Sequence, residues 1–251
     1  MKKRFLTRAS AITATLLALI LLVASTAKHS IATEVWSDDF EDGDYQGWVT
    51  PSSYTVSEGV LRANRPSAII FRESTVSVGT WSFDLFHVLP CNENTYVFFM
   101  SSEPEEPLWV AYAIEVGVAT RGDLQWPVYK LRVSSPDSNQ ENIPLTSWEI
   151  LASHDGSPGE FGWFRFAVTR DQSGLLSVFV NGTLVMQTVD TQVDVSEYFG
   201  MILHTDRAVD NIIVSDSIDF QTSEVIEPLA LLLVSGTLLV TISAFVIIRR
   251  K

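Results

Sequence analysis

Cysteine is almost missing from this chain: Cys91 is the only one in 251 residues. An intrachain disulfide is therefore impossible, and stability must come from a packed core or from bound metal. Histidine is scarce too. Beyond His29 there are only His87, His154 and His204, none in a zinc-ligand spacing with cysteine. No G-x-S-x-G precedes a helix, so a hydrolase nucleophile elbow is absent, and His204 and Asp206 in "HTDRAVD" read as turn residues before a strand. Basic residues are few where they would matter most. Of 17 lysines and arginines, 10 remain between residues 28 and 227, against all 30 acidic residues, a balance of −20. Such a surface repels phosphate backbones and anionic lipid, which argues against nucleic acid as a partner. Finally, no stretch between the two ends keeps a 3.6-residue apolar stripe, and no internal repeat aligns.

The two ends are different material. Lys2, Lys3, Arg4 and Arg8 precede an apolar run over 9–27 that closes on Ser25 and Ala27. This predicts a signal peptide over 1–27; an uncleaved anchor is the alternative, because 19 residues can just span a bilayer. At the other end, 228–248 carries no charge over 21 residues and is followed by Arg249, Arg250 and Lys251. That predicts one transmembrane helix, with 249–251 as a cytoplasmic basic tail and 221–227 as a short tether. The expected protein is single-pass at the cell membrane, contacts the lipid bilayer through its C-terminal helix, and keeps its bulk outside the cell.

Between these ends, β-branched and aromatic residues alternate in short runs. Strands are predicted over 54–62, 67–72, 79–89, 95–101, 111–119, 128–134, 147–154, 163–170, 198–205 and 208–215. Clusters of Gly, Pro, Asn and Asp such as "CNEN", "TRGD" and "HDGSPGE" separate them. "SVFVNGTLVMQT" (177–188) adds a β-hairpin, since Asn181 and Gly182 both tolerate the positive φ of a type I′ turn. That turn pairs Phe179 with Leu184 and Val178 with Val185, leaving both faces apolar, so the pattern does not say which one is core. Asn181 also heads Asn-Gly-Thr, an N-glycosylation acceptor. The fold class is all-β, a two-sheet antiparallel jelly-roll sandwich over 33–220.

Three stretches in order carry a resemblance: "DDFEDGDYQGWVTPSSYTVSEGVLRA" (38–63), "GWFRFAVTRDQSGLLSVFVNGTLVMQTVD" (162–190) and "AVDNIIVSD" (208–216). They resemble the opening, the penultimate hairpin and the closing strand of concanavalin A-like lectin/glucanase domains, laminin-G-like ones in particular. With its two ends, the chain also looks like the anchored surface proteins common in archaea. The resemblance implies the sandwich. It implies no single activity, because this fold hosts lectins, adhesion modules, glucanases and spacers.

Laminarinase-type relatives carry carboxylates at alternate positions of one strand, about 5 Å apart for double displacement. In "AIEVGVA", Glu115 is followed at those positions by Gly117 and Ala119, so the second carboxylate is missing. Glu103, Glu105 and Glu106 lie in a Pro-flanked acidic loop that reads as solvated decoration. The chain is therefore expected not to be an enzyme. A structural calcium is plausible. In the resembled sandwiches the first and last strands are neighbours, so Asp39 and Glu41 of "DDFEDGD" could meet Asp210 of "VDNIIVSD" around one hard cation; a hydrated acidic turn is the alternative. For sugar, Trp109 and Trp126 adjoin polar and acidic residues, and an exposed indole can stack on a pyranose; burial in the core is the alternative. Trp36, Trp48, Trp81, Trp148 and Trp163 read as core or strand-edge residues. The expected function is a cell-surface, membrane-anchored lectin-like or adhesion module that binds glycans or a surface protein without catalysis. A structural cell-envelope protein without a small ligand and a glycoside hydrolase are the other readings.

Overall fold

The computed structural model describes residues 33–49, 53–64, 69–88, 94–102, 110–121, 123–134, 148–157 and 160–218. The predicted signal peptide, tether, transmembrane segment and basic tail lie outside the described residues. Among the described residues, no helix is long and apolar enough to cross a membrane.

The described residues form fourteen strands: β1 (Glu34–Asp38), β2 (Tyr54–Ser57), β3 (Val60–Ala63), β4 (Ile69–Glu73), β5 (Gly79–His87), β6 (Thr95–Ser101) and β7 (Tyr112–Arg121), then β8 (Leu124–Val133), β9 (Glu149–Asp155), β10 (Gly162–Arg170), β11 (Leu175–Val180), β12 (Thr183–Val189), β13 (Tyr198–Ile202) and β14 (Ala208–Ser215). They make two antiparallel sheets. The eight-stranded sheet runs β12-β11-β10-β5-β14-β3-β2, with β1 also paired to β14; the six-stranded sheet runs β4-β13-β6-β7-β8-β9. The first and last strands are thus neighbours, with Asp38 opposite Ile212.

Alternation decides which side chains face the other sheet. Trp81, Phe83 and Leu85 of β5 and Phe164, Phe166 and Val168 of β10 join Phe99, Ile114, Tyr129 and Phe199 in one buried cluster. Aromatic contacts knit the two layers: Trp81 lies 5.2 Å from Phe99, and Tyr129 meets Phe166 edge-on at 5.3 Å. The hydrophobic area removed from water here does the work that disulfides do in smaller secreted domains.

Three sequence expectations need correction. Residues 54–62 are not one strand: Glu58 and Gly59 adopt φ of 57° and 72°, folding the stretch into the β2–β3 hairpin. In the Asn181–Gly182 hairpin, Phe179 does face Leu184, but Val178 faces Met186, because a β-bulge leaves Val185 as the extra residue. The bulge also resolves which face is core, namely that of Leu176, Val178, Val180 and Met186. Trp163, grouped with the core and strand-edge indoles, is 45% exposed. It shares its face of β10 with Arg165, opposite Phe164 and Phe166.

Candidate functional site

On the outer face of the six-stranded sheet, Glu115 is buried among polar partners. Lys130 Nζ lies 2.7 Å from its Oε1, the Asn94 amide donates to the same oxygen at 3.0 Å, and Arg132 Nε donates to Oε2. Arg132 also donates to the carbonyl of Trp148. Position 117, the next on this face, is filled by its neighbour rather than by a second acid. A Cβ there would stand 2.6 Å from Asn94 Oδ1, so the glycine leaves the room in which Asn94 reaches Glu115. Further along the same face Trp126 pairs with Ala119 and is half-buried. Trp109, Glu103, Glu105 and Glu106 lie outside the described residues.

The acidic opening stretch forms a series of Asx turns. Asp38, Asp39, Asp42 and Asp44 each accept the backbone N–H two residues on. These bonds hold Phe40 at φ 53° and fully buried. The turns leave Asp39 and Glu41 exposed beside β14. Asp210 sits there opposite Asp84 of β5, just before a β-bulge. Burial holds the Asp210 carboxyl above the usual range; the Asn211 N–H opposes this, and the charges of Asp84, Glu41 and Asp39 push it further up. Asp210 thus senses the other two predicted calcium ligands, and Asp84 with them. The Asn211 amide stands between Asp84 and Asp210, donating to them at 2.9 and 3.1 Å. Among the described residues, no three His, Cys, Asp or Glu side chains converge in metal-ligating positions.

Asn181 is exposed at the hairpin tip, with φ 50°. Its side-chain oxygen accepts the Arg165 N–H at 2.9 Å.

A cleft of about 400 Å³ opens at one side of the sandwich, lined by Trp36 of β1, Phe71, Arg72 and Glu73 of β4, Tyr198 of β13 and the turn at Gly47–Val49. The Arg72 guanidinium lies 4.7 Å above the Trp36 ring and 3.5 Å from Asp38. Trp48 Nε1 donates to the same Asp38 carboxylate at 2.8 Å. Phe71 and Tyr198 meet edge-on at 5.4 Å. Aromatic faces beside an oriented cation and a carboxylate are the ingredients of a small polar-ligand site. Sequence reasoning missed this cleft because its walls come from three strands far apart in the chain.

No family model matches the sequence, and no curated protein matches it. Solved structures do. The Emp47p carbohydrate recognition domain superposes with a TM-score of 0.57 at 11% identity, covering 76% of this chain and all of that one. The potassium-bound Emp46p carbohydrate recognition domain gives 0.53 at 10% identity, over 72% of this chain and 95% of that one. A Bacillus subtilis protein of unknown function with a galectin-like fold gives 0.50 at 11% identity, over 75% and 99%. Identity this low speaks to the path of the backbone alone, and that path is the jelly-roll sandwich of the lectin/glucanase fold.

Proposed function

We propose that this chain is a glycan-binding, lectin-like module without catalytic activity, held at the cell surface by its apolar C-terminal segment. The observation that carries the reading is the aromatic cleft of Trp36, Phe71 and Tyr198 with Arg72 and Glu73. Its volume suits one or two sugar rings, and a ring's apolar face can stack on Tyr198 while its hydroxyls bond Arg72 and Glu73. The likeness to two carbohydrate recognition domains supports the same reading. Against catalysis stands Glu115, which is closed off by Lys130 and Arg132, with Asn94 where a retaining glycosidase needs its second acid.

Calcium belongs to this proposal as a structural ion. Asp39, Glu41, Asp84 and Asp210 supply the hard oxygen donors that calcium takes, once the Asn211 amide turns aside. Binding would relieve the like-charge repulsion that adds to burial in raising Asp210 and would fasten the opening turn to the last strand.

The test is a polysaccharide array probed with the full chain, together with a reducing-sugar assay. Retention of a glycan without sugar release, lost in Tyr198→Ala and kept in Trp126→Ala, is the expected result. Release of reducing sugar would overturn the non-catalytic reading, and binding that survives Tyr198→Ala but not Trp126→Ala would move the site to the six-stranded sheet. For calcium, melting in chelator, magnesium and calcium should give the highest midpoint in calcium, and Asp210→Asn should erase the difference.

A further inference from the structure

One end of the sandwich interior holds polar side chains without partners among the described residues. β14 pairs Ala208 with Phe86 of β5 on one side and with Arg62 of β3 on the other. Carried one residue further, the same register sets Arg207 between His87 and Ala63. Alternation gives Arg207 the inward face shared by Val209, a core residue. Its side chain is 1% exposed, and none of Nε, Nη1 and Nη2 has a hydrogen-bond partner among the described residues. His87, equally buried, is unbonded at both ring nitrogens. Thr95 follows His87 at the start of the next strand, in the facing sheet, and its buried hydroxyl is unpartnered as well.

This is a concentration of donors with a charge among them. A guanidinium offers five N–H groups and no acceptor, neutral imidazole adds one N–H, and the hydroxyl one O–H. Burial pushes the Arg207 guanidinium down to about 10, which still leaves it cationic at neutral pH. The four ion pairs among the described residues all lie elsewhere. Water could satisfy the donors but not the charge, and an unpaired buried ion is among the costliest features a core can contain. The group that answers it must be negative, and small enough to fit where both side chains are closed to solvent. It must also lose its hydration cheaply, which favours a monovalent ion over sulfate or phosphate.

We propose that Arg207 and His87 bind a halide ion, chloride in practice, between the two sheets. The anion neutralises the guanidinium and accepts from the imidazole, with Thr95 completing its shell from the facing strand. It would fasten the junction of β3, β5 and β14, so that this markedly acidic domain draws stability from an anion inside it.

The experiment is thermal melting of the full chain at constant ionic strength, with sodium gluconate replaced stepwise by sodium chloride or bromide. A saturable rise of roughly 5–10 °C is expected at a hundredfold excess over Kd, absent in Arg207→Met. Should Arg207→Met not fold, His87→Phe serves as the second variant and is expected to weaken the chloride response. Bromide-soaked crystals give an independent answer, an anomalous peak beside the guanidinium. Equal midpoints in chloride and gluconate, or an ordered water in place of that peak, would overturn the proposal.

Discussion

On the outer face of the six-stranded sheet, Glu115 meets Lys130, Arg132 and Asn94, and its side chain is 1% exposed. On the outer face of the eight-stranded sheet, Asp84 and Asp210 confront each other across β5 and β14, with one asparagine amide between them. Arg165, 3.3 Å from Asp84, is the cation at hand. The first carboxylate is surrounded by opposite charge and is finished as a structural part. The second pair is like-charged and opposed, an arrangement that costs stability in a sheet and that a cation would relieve. Position in a fold therefore separates two settings of the same functional group: Glu115 is paired within the architecture, and Asp210 is the carboxylate that the proposed cation would use.

The sharpest way to break this comparison is Glu115→Gln. Removing the charge strands the buried Arg132, and breaking a buried pair of this kind costs about 3–5 kcal/mol, read from urea unfolding. A loss below about 1 kcal/mol would show that Glu115 is not structural. A smaller effect is expected at the hairpin of the other sheet. Gly182 has φ 78° with open space where a Cβ would go, so Gly182→Ala meets only the backbone cost of that conformation, about 1 kcal/mol.

Asp210→Asn should do less still, and in the opposite sense. A carboxyl raised above its unfolded value contributes stability at low pH and loses it as pH rises through the folded value. In chelator at neutral pH the Asn variant should therefore match or exceed the wild type, by at most about 0.5 kcal/mol because solvent screens the group. Its stability should also vary less with pH from about 4 upward. A clear destabilisation of Asp210→Asn in chelator would place Asp210 with Glu115 as a structural acid. The smallest effect belongs to Thr183→Ala, an exposed change that should abolish any N-glycan on Asn181 while leaving the unfolding curve in place. A glycan that persists would refute Asn181 as its site.

What could be read from the chain alone was mostly local. Asn181–Gly182 announced its turn and the Phe179–Leu184 pair through backbone chemistry confined to two residues. The adjacency of the first and last strands was implied by the resemblance that the motifs at 38–63 and 208–216 carry. The bulge at Val185 did not, because both faces of that hairpin are apolar and alternation alone cannot register a one-residue slip. Trp163 was misread for a related reason: "WFRFAV" is apolar on both faces, and only Arg165, two residues on, marks the outer one. The Asn94–Gly117–Glu115 contact joins residues up to 23 apart and reads from sequence as a missing acid rather than a filled position. Arg207 gave no signal, since an arginine beside a turn is ordinarily solvated. Its burial is a property of two sheets closing over one end.

The pairing of β1 with β14 sets how the domain would respond to mechanical load. The two strands are antiparallel, with Glu34 opposite Ser215 and the Asp216 N–H bonded to the Thr33 carbonyl, so both chain ends leave from the same corner. Tension applied between those ends would peel the β1–β14 hydrogen bonds apart one after another, a weak mode. Tension between Ser215 and the opposite end of the sandwich would instead load β14 along its length. There β5 flanks it on one side, and β3 and β1 share the other, so many bonds must fail together. The domain is accordingly soft when pulled by its two ends and stiff when the pull enters through its far loops.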